Sequence, residues 1–198
     1  MTKIKVLGGD QLKQRCSWAQ ENEKMKLYHD TIWGIPLYDD QRLFRKLSLD
    51  INQAGLSWQT ILNKEDHFDE AFDEFNLKKV AAYDEKKVEE LLTNPGIIRN
   101  RRKIEATIHN AQKVIEIQKE FGLFSDYLWA FNQHKVLKNA YTDQTEVPTT
   151  NDLSDTITKD LKRIGFKFVG STIIYAFLEA VGIINDHVTT CFRYEEIQ

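Results

Sequence analysis

Both cysteines of the chain and two of its five histidines fall into two pairs at opposite ends, Cys16 with His29 and His187 with Cys191. Thiolates and imidazoles are the donors of a closed tetrahedral zinc site, and four of them leave no position for water. The set predicts one structural zinc per chain, tying the N-terminal segment to the C-terminal one, because the ion binds well only to the folded arrangement. His187 and Cys191 are four residues apart, which shares a face on a helix and also suits a short turn. Cys16 and His29 are thirteen apart, wider than the compact pairs of zinc fingers. Taken alone, each pair also fits a buried cysteine and a satisfied core histidine, which are commoner. His67, His109 and His134 are scattered and read as ordinary surface or core groups. Beside the first pair, Trp18, Tyr28 and Trp33 are candidate walls of a pocket.

A second signal is a carboxylate in an apolar stripe. With Leu43 at the origin of a helical wheel turning roughly 100° per residue, Leu47 and Ala54 fall close to it and Asp50 falls between them. An acid there costs desolvation unless it meets partners or lines a polar cavity. It is either a cap on a neighbouring helix, or a sign that the helix is drawn slightly wrong, or a pocket acid serving as general base or recognition acceptor. Trp58, close in sequence, favours the pocket.

The third signal is a turn. Asn94-Pro95-Gly96-Ile97-Ile98-Arg99-Asn100 joins two helical segments, and Arg99, Arg101, Arg102 and Lys103 follow or overlap it. Amides opening a helix beside basic side chains suit a phosphate backbone. A solvated corner with a charged start has the same composition. Lys162, Arg163 and Lys167 form a weaker basic patch.

The elements that must position these groups read as helices. From about residue 39 the helical pattern is nearly continuous. Asp39 or Asp40 caps a helix carrying Leu43, Leu47, Ile51 and Ala54, interrupted at Gly55. Short helices are expected over 57–63, 67–75, 77–83 and 85–92, the last ended by Pro95-Gly96. A long helix then presents Ile104, Ile108, Ala111 and Ile115 on one face. The aromatic stretch 121–131 reads as buried, and 142–150 as a loop. Two further helices, 152–164 and 169–181, stop at Gly165 and Gly182. No alternating strand pattern competes.

The 198 residues suffice for a core in one domain or two small lobes. At 41% hydrophobic and 29% charged the composition is that of a soluble globular protein. No apolar run approaches a membrane span and the start lacks a secretory core, so no membrane partner and a cytoplasmic location are expected. A net charge of −3 gives no global pull toward nucleic acid and leaves local patches to do the steering.

Taken in order, these residues resemble one family, the type I 3-methyladenine DNA glycosylases of the helix-hairpin-helix glycosylase group. The matching stretches are Cys16-Ser17-Trp18, Tyr28-His29-Asp30 with Trp33-Gly34-Ile35-Pro36, and Leu43-Phe44 through Gln53-Ala54-Gly55-Leu56-Ser57-Trp58. They continue with Gly96-Ile97-Ile98-Arg99, Arg163 through Gly170, and Asn185-Asp186-His187-Val188 with Cys191. The resemblance implies an all-α, helix-hairpin-helix glycosylase-like bundle over 16–198, preceded by a flexible arm, 1–15. The parts 16–36 and 165–192 would carry the zinc, held by Cys16, His29, His187 and Cys191. It implies a base pocket of Trp18, Met25, Tyr28, Asp50 and Trp58, with Asp50, Tyr28 and Trp58 taking part in catalysis. Its DNA contacts would fall on Leu56, Gly96, Ile98, Arg99, Arg101, Lys103, Lys167 and Gly170.

The implied activity is excision of 3-methyladenine from double-stranded DNA by a monomer. An enzyme acting on one nucleobase takes it out of the stack. Leu56 would fill the space, and the extruded base would stack on Tyr28 and Trp58 with Asp50 accepting from its polar edge. N3-methylated adenine in DNA is cationic and already a good leaving group, and aromatic faces and a carboxylate both favour a cation. Water would then give free 3-methyladenine and an abasic site. No lysine occupies a position demanding a Schiff base, so strand cleavage is not expected. Two positions depart from the family pattern: Asp50 stands for a glutamate one methylene longer, and Met25 for an aromatic residue. Because misplacement near 1 Å can cost about a hundredfold, the alternative is a DNA- or nucleobase-binding protein of this fold with weakened, altered or lost excision.

Overall fold

The computed structural model describes residues 13–197, and among them the chain is almost wholly helical. Residues 1–12 of the expected arm lie outside the described residues. The helices are α1 (Glu23–Thr31), α2 (Asp40–Gln53), α3 (Trp58–Leu62), α4 (Glu65–Ala71), α5 (Leu77–Ala81), α6 (Glu85–Thr93), α7 (Arg101–Phe121), α8 (Phe124–Ala130), α9 (Asp152–Ile164) and α10 (Ser171–Ala180). Two-residue strands β1 (Leu137–Lys138) and β2 (Ile184–Asn185) pair in parallel. The all-α expectation holds. The sequence pattern did not reveal α1, whose mixed polarity gives it little amphipathic signal, nor the 3-10 turn Ser17–Gln20 before it.

Short polar side chains set the helix starts. The Asp39 carboxylate accepts from the Arg42 amide at 2.8 Å and opens α2. Its neighbour Asp40 serves a different helix: it accepts from the Phe124 and Ser125 amides at 2.9 and 2.8 Å, capping α8, and from Gln118 Nε2 at 2.7 Å. One residue pair thus fixes α2 against the end of α7 and the start of α8. Asn100 caps α7, and Asn151 with Ser154 forms a capping box on α9. Gly165 ends α9 at φ +106°, a conformation that favours glycine.

The main core gathers around α7, which packs against α2, α5, α6 and α8, while α10 packs on α9 and α2. On α7 the buried apolar stripe runs through Ile104, Ile108, Ala111, Val114 and Ile117. Ile115, expected on that face, is only partly buried, and toward the C-terminal half of α7 the buried side moves round the helix to Val114 and Ile117. The aromatic stretch 121–131 is also divided. Phe124, Tyr127 and Trp129 are buried, but Phe121 lies exposed at the C-terminus of α7, where the chain turns at Gly122.

A smaller cluster lies apart and holds Cys16, Met25, Tyr28, Trp33, Leu62, Ala180, Val188 and Cys191, with Trp18 and Trp58 against it. It joins the two ends of the chain. Segment 34–37 is laid over the end of α10, with Gly34 and Leu37 amides donating to Ala180 and Val181 carbonyls. Gly182, at φ +75°, makes this approach possible: a Cβ there would sit 2.5 Å from Pro36 N and 2.6 Å from the Gly34 oxygen. Backbone atoms cannot swing aside, so G182A combines left-handed strain with overpacking and is expected to cost roughly 2–4 kcal/mol of unfolding free energy. Urea denaturation measures it; a loss within about 0.5 kcal/mol, the range of neutral surface changes, would show that the contact gives way.

Candidate functional site

The first pair of ligating residues comes from the turn before α1 and from its last turn, the second from the irregular segment after β2. His187 and Cys191 do not share a helix. The Cys191 amide closes a tight turn onto the Val188 carbonyl at 2.7 Å, and Asn185 Oδ1 accepts from the His187 amide at 3.2 Å. Donor atoms of Cys16, His29, His187 and Cys191 all lie within 4.8 Å of one another, and all four residues are buried. Cys191 Sγ is 3.4 Å from His29 Nε2 and 3.5 Å from His187 Nδ1; Cys16 Sγ is 3.7 Å from His187 Nδ1. Metal–nitrogen and metal–sulfur bonds of about 2.0–2.3 Å give tetrahedral edges of roughly 3.3–3.8 Å. These three separations fall in that range, so the donor set fits one tetrahedral ion.

The protonation chemistry agrees. The hydrogen bond from Cys16, helped by those of His187 and His29 against the opposing effect of burial, holds the Cys191 thiol below its ordinary value. The same contact and burial push the Cys16 thiol up. An ion held by both sulfurs would displace the thiol protons. Burial holds His187 below its ordinary value, as the neutral imidazole that ligation needs. Behind the cluster, His29 Nδ1 lies 2.8 Å from Asp30 Oδ1, and Arg15 grips the Asp30 carboxylate at 2.7–3.0 Å. Burial would raise Asp30, but the Arg15 and His29 hydrogen bonds outweigh it and hold the carboxyl below its ordinary value. A carboxylate on the outer nitrogen fixes the tautomer and presents Nε2 to the cluster.

The cluster adjoins a cavity of about 270 Å³, and all five residues expected in the base pocket line it: Trp18, Met25, Tyr28, Asp50 and Trp58. Ring centroids of Tyr28 and Trp58 are 5.0 Å apart, and Trp18 meets Trp33 edge-on at 5.0 Å. Helix α2 delivers Asp50 to the cavity, 3% exposed, as its place on the wheel requires. One carboxylate oxygen, Oδ1, is ion-paired with Lys46 on the preceding turn. The other, Oδ2, and the indole nitrogen of Trp58 are buried with no hydrogen-bond partner among the described residues. An acceptor and a donor left so in an aromatic cavity mark a place for a polar ligand. Burial raises the Asp50 carboxyl against the pull of Lys46. Tyr28 is pushed well up by burial and by the carboxylates of Asp50, Glu179 and Glu65, so it remains a neutral hydroxyl.

Four further polar residues line this cavity that the sequence reading did not assign to it: Lys46, Gln53, Gln144 and Glu179. Two had a detectable signal. Lys46 is one turn before Asp50 and falls on the same side of the wheel; Glu179 sits in the otherwise apolar α10. Burial and the neighbouring Asp186 push Glu179 well above the carboxylate range. Gln144 arrives from the loop before α9, and no local pattern could have placed it.

The expected DNA contacts divide. Leu56, Arg99 and Lys167 are exposed, Ile98 is partly buried, and Gly170 faces open space at the start of α10. An open groove lies along α7, lined by Arg102, Glu105, Ala106, His109, Lys167 and Phe168. Asn110 holds its far wall by bonding both the Lys167 amide and carbonyl, at 2.8 and 3.0 Å. Three residues leave the set. Lys103 is buried, and its ammonium donates to the Asn52 and Ala54 carbonyls at 2.9 and 2.8 Å, satisfying the end of α2. Arg101 is surrounded by Glu85, Glu89 and Glu105, which neutralise it. The Gly96 amide donates to Asn94 Oδ1 at 2.8 Å and is not available to a phosphate; glycine is needed there because a Cβ would meet His67 at 2.9 Å. Among the described residues no helix is long and apolar enough to cross a membrane.

Comparison with known proteins brings these features together. A family model described as methyladenine glycosylase matches residues 18–194. DNA-3-methyladenine glycosylase 1 of Escherichia coli (strain K12) is 41% identical over 91% of this chain and 97% of its own length. A crystal structure of a 3-methyladenine DNA glycosylase I superposes with a TM-score of 0.87 at 41% identity, covering 90% of this chain and 98% of the other. A variant of such an enzyme solved in complex with 3-methyladenine gives the same TM-score at 36% identity, over 90% and 96% of the two chains.

The metal-ligating geometry predicts a dependence on Asp30. In D30N, His29 loses the carboxylate that orients it, and metal affinity is expected to fall by about 10–100-fold. Competition against a graded series of chelators reads this directly. Equal affinities in the wild type and D30N would show that the Asp30 carboxylate contributes nothing to the site.

Proposed function

The chain belongs to the methyladenine glycosylase family, and from that premise we propose that it is a monofunctional DNA-3-methyladenine glycosylase, with one structural zinc at Cys16, His29, His187 and Cys191. The observation that carries the reading is the buried, unpartnered oxygen of Asp50 in a cavity walled by Trp18, Tyr28 and Trp58. The cavity volume suits a purine, and the acceptor and rings suit a positively charged one.

The substrate is alkylated adenine in double-stranded DNA. The groove between α7 and the 165–170 turn, with Arg99, Arg102 and Lys167, takes the phosphate backbone. Leu56, exposed in the link between α2 and α3, fills the gap left by the everted nucleotide. In the pocket the base stacks on Tyr28 and Trp58, and Asp50 Oδ2 accepts a hydrogen bond from its polar edge. Because the N3-methylated nucleoside is already cationic, the C1′–N9 bond breaks with its electron pair going to the base, which leaves as neutral 3-methyladenine. Water adds at C1′, giving the abasic sugar hydroxyl and releasing one proton. Asp50 stabilises the positive charge that passes from base to sugar, and the aromatic walls exclude competing water.

Zinc, when bound, fastens the turn carrying Trp18 and the helix carrying Tyr28 to the segment after β2, so the pocket walls stay in register. Its four protein ligands leave it no open position for the reaction. The enzyme works as a monomer in the cytoplasm, where a reducing environment keeps both cysteines available as ligands.

High-performance liquid chromatography of bases released from methylated duplex DNA tests the reading. The wild type should release 3-methyladenine and leave abasic sites that break only on later alkali treatment. D50N should lose roughly a hundredfold or more of that activity, the scale on which single electrostatic groups act in such sites. Full release by D50N would remove Asp50 from the reaction, and no release by zinc-loaded wild type would favour base binding without turnover.

A further inference from the structure

The two features that make this pocket suit a cation are already facing one. Lys46, one helical turn before Asp50 on α2, is buried in the same cavity. Its ammonium pairs with Asp50 Oδ1 and lies 3.9 Å from the centroid of the Trp58 ring. A carboxylate and an electron-rich ring face are the groups that would distinguish a cationic methylpurine from a neutral one. Given the excision reading above, we propose that Lys46 is a specificity-determining residue whose ammonium occupies the cation position between Asp50 and Trp58 and so narrows the pocket's preference for cationic over neutral purines.

Charge balance supports this. With Lys46 charged, the Asp50–Lys46 pair is neutral overall, and a cationic base meets a like charge where it would otherwise meet an acid alone. Burial lowers the Lys46 ammonium against the pull of Asp50, so it gives up its proton more readily than an exposed lysine does. The charged groups bearing on it are Asp50 and Arg45 from α2 and Glu179 from α10. Lys46 also borders a second cavity that contains Glu65 from α4, Arg42 and Arg45 from α2, and the Tyr28 hydroxyl-bearing ring from α1. Lys46 thus borders both cavities, and because the Glu65 carboxylate of the second is already paired with Arg45 and Lys24, the ammonium's own partners are Asp50 and the Trp58 ring. Glu179 also favours a cation once ionised, and it and Lys46 act on each other's charge, so the wild type and K46M are compared at matched pH with both probes.

Isothermal titration calorimetry of the zinc-loaded protein separates these effects. The probes are 3,9-dimethyladeninium, which carries a fixed positive charge, and neutral 9-methyladenine. In K46M, binding of the cation should strengthen about tenfold or more relative to any change for the neutral purine, the size expected when a like charge leaves a buried ring face. In the wild type, cation affinity should climb as pH rises and Lys46 loses its proton below the ordinary lysine range, more steeply than in K46M. A common factor for both probes, superimposable pH profiles, or binding of neither probe would each overturn the proposal. The wild-type profile needs no variant, so a flat response overturns it even if K46M fails to fold; K46Q serves as a second neutral replacement. Base release is scored separately. Shifted probe selectivity without release from methylated DNA would sink the excision reading and leave the role of Lys46 standing; release with unmoved selectivity would do the reverse.

Discussion

The pocket exists because two ends of the chain are brought within a few ångströms of each other. Cys16 and His29 flank Trp18 and Tyr28 in sequence, so wherever the ligands go, two of the pocket walls go with them. On the other side, His187 and Cys191 are held by a turn that hangs from β2 and from the end of α10. Neither end has an extensive apolar face of its own, and the cluster that joins them is small. Four donors able to hold one metal ion meet at this junction, and an ion bound there would add free energy only in the folded state. Arg15 and Asp30 extend the same junction outward, and Gly182 lets segment 34–37 close over it.

The second constraint is electrostatic. Helix α2 drives a carboxylate into an aromatic wall, where ionisation is costly, and the cost is only partly offset by Lys46. A site of this kind is strained toward a ligand: one acid oxygen and one indole nitrogen are left for something that enters from outside. The same helix ends by lending its last carbonyls to Lys103, which shows how differently two lysines bordering α2 are used. Lys103 completes a helix terminus, while Lys46 changes the charge that a base encounters.

Basic residues along α7 illustrate why composition alone misleads about nucleic-acid contacts. Arg99, Arg101, Arg102 and Lys103 are almost contiguous, yet Arg99 precedes α7 and the helix turns the other three each toward a different neighbour. Arg101 is spent on three glutamates and Lys103 on backbone carbonyls, whereas Arg102 lies against Phe168 in the groove. Which charges remain for a phosphate backbone is decided by helical phase and by what the adjacent helix α6 carries.

Much was legible before any fold was seen. Local rules were enough for most helices from residue 39 onward, α8 excepted, because caps such as Asp39 and stops such as Gly165 act within one turn of the chain. Periodicity alone turned Asp50 inward, since the position of a side chain on a helix follows from its number. The four metal ligands were recognisable as types, and the ordered resemblance to a family tied them together. Tertiary structure decided what depends on distance across the chain. It assigned Asp40 to α8 rather than to its own helix, brought Gln144 and Glu179 to the cavity, placed Lys46 over Trp58, withdrew Lys103 from the surface and paired Arg101 with glutamates. It also formed α1 from a segment without an apolar stripe. A residue's chemistry and helical phase are properties of its own segment, but its partners and its final charge environment are set by segments far away in sequence, and these meet only when the core closes.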